Sequence, residues 1–508
     1  MSELRKLYWE SSHYLAGRVA VMLLGFVSFP LFTRVFSVSE YGIMSLVLNT
    51  VMVLTAFSKL GMQSAVQRFY PEHANSPDPK AFQRYYSTLF FGAALIGGIC
   101  TLLYVGTVYV IPASLMGSSV KFALVFASGL IVIRTLRSMQ TNLMQIERKT
   151  ILLNVSDIIN RAGTIAAIVL LFFVWQRGIK SYFLGSLIFE GLVVLAFVPS
   201  LLKRKLLSVR AFEPGFFRTV ISFSVPLMWA ELAWLVLDTG DRYLIGHYLG
   251  TEAIGYYAAA YGVAYHVQDL VNVPLGLALF PVFMKLWSTE GEKAAGNLLS
   301  RSLDHFVMAA ILMVCTFTVV SRDLIVLLAS RKYESAHVLL PWLVSGLVLS
   351  AGQIFFKPGL LVHKKVFKVA RVTLYAAIIN IVLNVVMLPR IGVKGAAIAT
   401  LLSYAAWIFM MARESLAIFH FEIRYFAFAK YLIAGAAVVL VASRVQVPTL
   451  ILSILVKGIV SVIVYCVILW IVDAQFRDLM RSGVKWLAGL GHPVAAISPA
   501  GAGAAVKE

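Results

Sequence analysis

The chain has 508 residues; 60% are hydrophobic and only 13% charged, and the mean hydropathy is +0.84. Soluble globular proteins carry about 45–50% apolar and about 25% charged residues. The composition therefore excludes a cytosolic enzyme, a secreted disulfide scaffold and a disordered chain, and points to a polytopic membrane protein. The net charge is +20, from 44 Lys and Arg against 24 Asp and Glu. In a soluble protein that excess would suggest nucleic acid; in a membrane protein basic residues collect in cytoplasmic loops.

A membrane span needs about 20 mostly apolar residues. In chain order, apolar runs between charged residues predict fourteen: 14–36, 41–62, 85–110, 121–143, 151–175, 181–202, 217–240, 253–280, 301–321, 335–356, 367–389, 393–413, 426–444 and 450–472. The N-terminal MSELRKLYWESSHY reads as an uncleaved cytoplasmic end. With that end inside, 28 Lys and Arg fall on the cytoplasmic side and 11 outside. The other five (Arg18, Arg134, Arg137, Arg161, Lys457) lie within spans. This bias predicts that both termini are cytoplasmic. The longest polar connection, Gln63 to Arg84, contains PEHANSPDP and is too short for a folded domain. Beyond Asp473 a mildly amphipathic tail, FRDLMRSGVKWLAGL, leads into a small-residue end read as disordered.

Other signatures are missing. Cys100, Cys315 and Cys466 lie in separate apolar runs without a CxxC pair, and the nine histidines show no HExxH spacing. Neither a cofactor nor a metal site is expected. The lack of a GxxxxGK[ST] loop argues against an ATP-driven pump on this chain.

A weak repeat links RVFSVSEYGIMSLV (34–47) to HYLGTEAIGYYAAA (247–260). At an offset of 213, Arg34 meets His247, Phe36 meets Leu249 and Gly42 meets Gly255. A six-helix offset preserves orientation and would relate two halves by an axis along the membrane normal. The expected organisation is a six-helix half over 1–212, a second over 213–424, two additional helices over 425–472 and a tail over 473–508.

Three stretches carry a resemblance: FTRVFSVSEYGIMSL (32–46), DRYLIGHYLGTEAIGYYAAAY (241–261) and NIVLNVVMLPRIGVKGAAIATLLSY (380–404). Together the chain resembles the Wzx-type polysaccharide transporters, the lipid-linked oligosaccharide flippases. Their superfamily includes the multidrug and toxic-compound extruders and the lipid II flippase. The resemblance implies an all-α, V-shaped, MATE-like fold of about fourteen helices and alternating access. It also implies a polyprenyl-pyrophosphate-linked sugar as cargo, moved from the cytoplasmic to the periplasmic leaflet of a bacterial inner membrane. O-antigen, capsule or exopolysaccharide synthesis would be served. Expected partners are this anionic glycolipid, membrane lipid, and a polysaccharide polymerase with its export machinery; nucleic acid and enzymatic catalysis are not expected. Within the third stretch, Asn380 and Asn384 share a helix face, where they can bond a neighbouring helix or line a cavity; Gly395, Ala396 and Ala397 allow close packing.

Ionisable residues at mid-membrane are costly, so they face a cavity or a partner. Arg134, Arg137 and Thr141 form a polar stripe on the fourth span, Asn154, Asp157 and Arg161 one on the fifth, and Arg18 lies early in the first. Because Arg binds phosphate bidentately, Arg18, Arg134, Arg137 and Arg161 are the candidate cationic cavity for an anionic glycolipid. The structural alternative pairs Arg161 with Asp157 and leaves the others near the rim. On the seventh span Glu231, Asp238 and Arg242 share a face, and Pro226 is a candidate kink. Glu231, Asp157 and Asp238 are the candidate coupling residues, whereas Asp241 with Arg242 reads as a pair that fixes a turn. His266, Gln268, Asp269 and Asn272 form a polar patch on the eighth span; Gln353 and Lys357 share a face on the tenth. His266, Asp269, Gln353 and Lys357 are candidate path-lining residues; interhelical contacts would explain them equally. Two competing functions remain: a cation-coupled drug exporter, which would want an acidic rather than basic cavity, and a membrane glycosyltransferase or polymerase, which would want larger loops.

Overall fold

The computed structural model describes residues 3–78, 80–112, 118–175 and 178–489, apart from the side chains of 3–16, 18, 118, 119, 273, 277 and 482–489. Among these residues every regular element is helical. The order is α1 (Glu3–Val35), α2 (Val38–Lys59), α3 (Met62–Ala74), α4 (Ala81–Val110), α5 (Ser118–Ile146), α6 (Thr150–Val174), α7 (Ile179–Lys203), α8 (Pro214–Thr239) and α9 (Asp241–Thr289). Then come α10 (Glu292–Val319), α11 (Ser321–Ala329), α12 (Leu340–Ala351), α13 (Gln353–Val362), α14 (Val366–Ile391), α15 (Val393–Leu416), α16 (Tyr425–Ala442), α17 (Leu450–Val472) and α18 (Ala474–Gly489). Short 3-10 helices cover Val209–Ala211 and Arg331–Leu339.

Twelve stretches of described residues are long and apolar enough to cross a membrane. One, Pro214–Thr289, holds two of the expected spans, and the apolar Val19–Val35 of α1 supplies the first. Each of the fourteen expected spans therefore has a helical counterpart, and the chain is an all-α, multi-pass membrane protein.

Three local details go beyond the expected spans. The polar connection after the second span is half helical: Met62, Ala65, Val66, Phe69 and Tyr70 form an apolar stripe on α3, which packs on Tyr85 and Tyr86 of α4. Tyr85 donates its hydroxyl proton to the Val66 carbonyl at 2.6 Å. Pro226 lies inside α8, which runs on as helix past it; the departure from helical backbone comes later. It falls at Gly250, whose φ of 84° and ψ of −179° interrupt α9; an added Cβ there meets nothing within 4 Å, so the demand for glycine is conformational. The tenth span is divided at Gly352, and Gln353 and Lys357 sit on the separate segment α13.

The helices group into two compact units. One contains α1–α9 with α11–α15; the other contains Ser300–Val320 with α16–α18. In the first unit, α2 crosses α9 with reciprocal geometry. A Cβ on Gly42 would lie 2.0 Å from the Thr251 carbonyl oxygen, and one on Gly255 would lie 2.1 Å from the Val38 carbonyl oxygen. Val38 and Thr251 are themselves related by the offset of 213. Ser39 and Thr251 hydroxyls bond across the crossing at 2.8 Å. The start of α2 is held by a capping box: Ser37 Oγ accepts from the Glu40 amide, and Glu40 accepts from the Ser37 amide.

In the second unit, Tyr431, Ala434, Val438, Tyr465 and Leu469 form the core with Val307, Met308 and Ile311. Tyr465 donates to the Met308 carbonyl at 2.8 Å, and Tyr431 to Asp304 at 3.1 Å. Helix α17 buries Ser453, Ser461 and Tyr465 and exposes Leu455, Ile459 and Ile463. That pattern inverts a soluble helix and fits a lipid-facing one.

Candidate functional site

Helix packing in the first unit brings the intramembrane cations into partnerships that spacing alone does not reveal. Arg134 on α5 donates from Nε and Nη2 to the two carboxylate oxygens of Glu190 on α7, at 2.9 and 2.8 Å. This is a bidentate fork with the carboxylate 12% exposed. Arg137 donates to Asp157 Oδ1 and to Ser156 Oγ, each at 2.7 Å. The expected Arg161–Asp157 pair is therefore corrected: Arg137, reaching across from α5, takes the carboxylate. Arg161 instead donates to Ser28 Oγ on α1 at 3.0 Å and has no carboxylate partner among the described residues. The Arg18 side chain lies outside the described residues.

A cavity of about 210 Å³ opens between α1, α5 and α6, lined by Gly17, Thr141, Gln145, Asn154 and Asp157 among others. It joins the two polar stripes of the fourth and fifth spans. Gly17 permits the close approach of α1 and α6, since a Cβ there would overlap the Asn154 side chain at 2.1 Å.

The acidic residues of α8 and α9 are also engaged. Glu231 accepts from Lys59 Nζ at 2.8 Å and Gln63 Nε2 at 2.6 Å. Asp238 accepts from the Tyr261 hydroxyl at 2.5 Å and from the Tyr404 hydroxyl at 3.2 Å. Asp241 is fully buried; it pairs with Arg242 at 3.0 Å and accepts from Tyr257 and from Thr400. The Arg242 guanidinium lies 4.1 Å from the Tyr261 ring centroid. The expected Asp241–Arg242 pair is present as the start of α9, with Arg242 Nη1 also donating to the Asp238 carbonyl at 2.8 Å.

Among the candidate path residues, His266 is half-buried against Phe26 and Phe29, at ring-centroid distances of 5.1 and 5.8 Å, and its Nδ1 has no partner among the described residues. Gln268 serves packing: it donates to the Leu347 carbonyl and to Ser350 Oγ. Asp269 and Gln353 are half-buried. So is Lys357, which has no acidic partner among the described residues. Asn380 and Asn384 are buried and bond each other within α14, Asn384 Nδ2 donating to the Asn380 carbonyl at 2.9 Å, rather than a neighbouring helix.

Sequence reasoning missed the role of Glu190 as the counter-ion of Arg134, and Lys59 as that of Glu231. The signal was there for Glu190: a carboxylate amid an apolar span requires a partner. No spacing pointed to Ser28, Tyr257, Tyr261, Thr400 or Tyr404, which come from distant parts of the chain.

Fold and buried charge together define a polytopic helical membrane protein with charged residues enclosed among its spans. The chain belongs to the polysaccharide biosynthesis protein family, whose model matches residues 10–287. It is 22% identical over 236 residues to the uncharacterised membrane protein MJ1068 of Methanocaldococcus jannaschii, covering 44% of each chain. It is 22% identical over 189 residues to the "Probable low-salt glycan biosynthesis flippase Agl15" of Haloferax volcanii, covering 37% of this chain and 40% of that one. The chain thus spans less than half the length of these curated relatives. In fold it is similar to the lipid II flippase MurJ in an inward closed conformation: TM-score 0.76, 16% identity, 92% of this chain and 99% of that one. It is also similar to an inward-facing multidrug resistance MATE transporter, with a TM-score of 0.60, 14% identity, and 78% and 94% coverage. At these identities the likeness concerns the fold alone.

Proposed function

We propose that the protein is a flippase that moves a polyprenyl-pyrophosphate-linked oligosaccharide from the cytoplasmic to the periplasmic leaflet by alternating access. It would act in the inner membrane of a bacterium, with both termini cytoplasmic, and supply O-antigen, capsule or exopolysaccharide synthesis, handing its product to a polymerase and export machinery. The halves 1–212 and 213–424 would move about the reciprocal α2–α9 crossing, with 425–472 as added helices and 473–508 as a tail. The observation that carries the reading is the concentration of intramembrane arginine in the first half. Arg134, Arg137 and Arg161 lie on two adjacent helices, Arg137 is bonded to Asp157 of the polar cavity, and Arg161 has only a hydroxyl for a partner among the described residues. An anionic headgroup can take Arg161 directly and compete with Glu190 and Asp157 for the others; Arg18 completes the proposed cationic set. Glu231, Asp157 and Asp238 are the proposed coupling carboxylates, since each is held by groups that could exchange for a proton or cation. His266, Asp269, Gln353 and Lys357 would line the path.

The test is to delete the gene in its host and separate lipid-linked glycans by leaflet. Accumulation of the completed unit on the cytoplasmic side, reversed by the intact gene, is expected. Unchanged flipping with altered drug tolerance would favour the cation-coupled exporter instead.

A further inference from the structure

Arg161 and His266 come from different helices, α6 and α9, and meet at a third. A Cβ built on Gly25 of α1 would lie 3.7 Å from Arg161 Nη2 and 3.9 Å from His266 Cε1. The guanidinium and the imidazole therefore converge on the bare backbone of Gly25, each at ordinary contact distance from where a side-chain carbon would stand. Ser28, one turn along, anchors the arginine: its hydroxyl accepts from Arg161 Nη2 at 3.0 Å and donates to the Gly25 carbonyl at 2.9 Å. His266 is fixed from behind by Phe26 and Phe29. Its Nδ1 is shielded from solvent and, among the described residues, lacks a partner, as do Asn160 Oδ1 and Thr164 Oγ1, which flank Arg161 on α6. Buried polar atoms without partners are rare in folded proteins and each calls for an explanation. Here one of them, on His266, lies near a cation that has no counter-ion among the described residues.

We propose that Arg161 and His266, parted by Gly25, form a subsite for a phosphate group of a pyrophosphate-linked ligand, and that His266 takes up a proton as the phosphate binds. The inference rests on the flippase reading and deepens it by naming where the headgroup sits and which group titrates. A phosphate brought to Gly25 would accept a hydrogen bond from each of the two groups. Its negative charge favours the imidazolium, which donates from both ring nitrogens, and imidazole is the side chain suited to gain a proton near neutral pH. Among the described residues these groups face the ring or adjoin it. On α1 it meets Gly25, Phe26 and Phe29, none of them charged. On α6 the charged group whose field reaches it is Arg161. On α9 its titratable neighbours in sequence are Tyr265 and Asp269. Nearby Gln268 is tied to α12 through Leu347 and Ser350, which are neutral. Arg134 and Arg137 are already matched to Glu190 and Asp157, so an incoming anion meets less competition at Arg161 than at either.

The test is calorimetric titration of the purified full-length protein with farnesyl pyrophosphate, in buffers of different ionisation enthalpy, so that protons exchanged on binding are counted. The wild type is expected to take up more protons than His266→Gln, by up to one per ligand, and to bind about tenfold more tightly, the scale of one charge-assisted hydrogen bond. Gly25→Leu, which puts a side chain where the two groups converge but leaves every charge in place, is expected to weaken binding by more than about tenfold with an unchanged melting temperature. Inorganic pyrophosphate serves as competitor. Equal competition assigns the subsite to phosphate at large; a preference of tenfold or more for the farnesyl compound assigns it to a lipid-linked headgroup. Binding with the same proton count and affinity in His266→Gln and in Gly25→Leu overturns the subsite and leaves the flippase reading standing. A wild type with no affinity for either pyrophosphate overturns both.

Discussion

Arg134 and Glu190 illustrate how a charge is kept among apolar helices. The guanidinium and carboxylate meet as a two-pronged fork and each offsets the cost of the other. Removing one partner strands the other, and a stranded buried charge costs about 3–5 kcal/mol. Arg134→Ala should therefore lower the melting temperature of the purified protein markedly, and Arg134→Ala with Glu190→Ala should recover most of the loss. If the double variant melts like the wild type yet fails to move glycolipid, the arginine contacts cargo as well as Glu190. Outside the spans, Glu147 has a similar role for the connection after α5. It accepts from Tyr86 and Lys149, and from Arg204 at 3.3 Å. Burial acts to raise its carboxyl, but the hydrogen bonds from Lys149, Tyr86 and Arg204 outweigh it and hold the group below its ordinary 4.5. A lowered folded value means the stabilisation is present above the unfolded carboxyl's range and is lost as pH falls through the folded one. Melting temperatures of the wild type and Glu147→Gln should differ at pH 7, and the difference should shrink as pH falls from about 4.5 through the lower folded value, a titration that thermal unfolding in detergent can follow.

At the scale of elements, the α2–α9 crossing depends on two glycines. A methyl at either would enter a backbone carbonyl at about van der Waals overlap, and backbone cannot move aside as a flexible side chain can. Gly42→Val and Gly255→Val should each cost at least about 3 kcal/mol and reduce folded protein in the membrane, read by fluorescence-detected size exclusion. Ser39→Cys with Thr251→Cys places two thiols where the hydroxyls now touch. Cross-linking that pair should arrest transport if the halves part at this crossing, and a reductant should restore it. The Gly42–Gly255 alignment was legible in the sequence as a weak repeat, but its meaning was not. Two similar helix starts 213 residues apart could be chance; only packing shows that the glycines face each other. The same limit explains the Arg161–Asp157 expectation. Spacing of four on one helix permits an ion pair, but it says nothing of Arg137, which approaches from the next helix and captures the carboxylate. Conversely, α3 was legible in the stripe from Met62 to Tyr70 and was obscured by the polar PEHANSPDP that follows it.

For the whole molecule, the +20 charge divides into loop charge and span charge. The loop part makes an orientation prediction that is independent of cargo. A cysteine introduced at Ser76, between α3 and α4, should react with a membrane-impermeant maleimide only after the cytoplasmic face is opened; one at Glu334, in the 3-10 helix before α12, should react in intact spheroplasts. Reversed labelling would invert the predicted topology.

Composition and hydropathy by themselves determined that the chain is a membrane protein, the number and order of its spans and the class of fold. Each span must satisfy its own backbone in lipid, so each is a local property of about 20 residues. What only the tertiary structure decided is the allocation of partners: which arginine holds which carboxylate, which cation stays free of one, and that a histidine of α9 stands across Gly25 from Arg161. Such pairings join residues on different helices, from 20 to 133 positions apart, and helix packing sets them, because a buried charge is governed by what lies within a few ångströms of it and not by its neighbours in the chain.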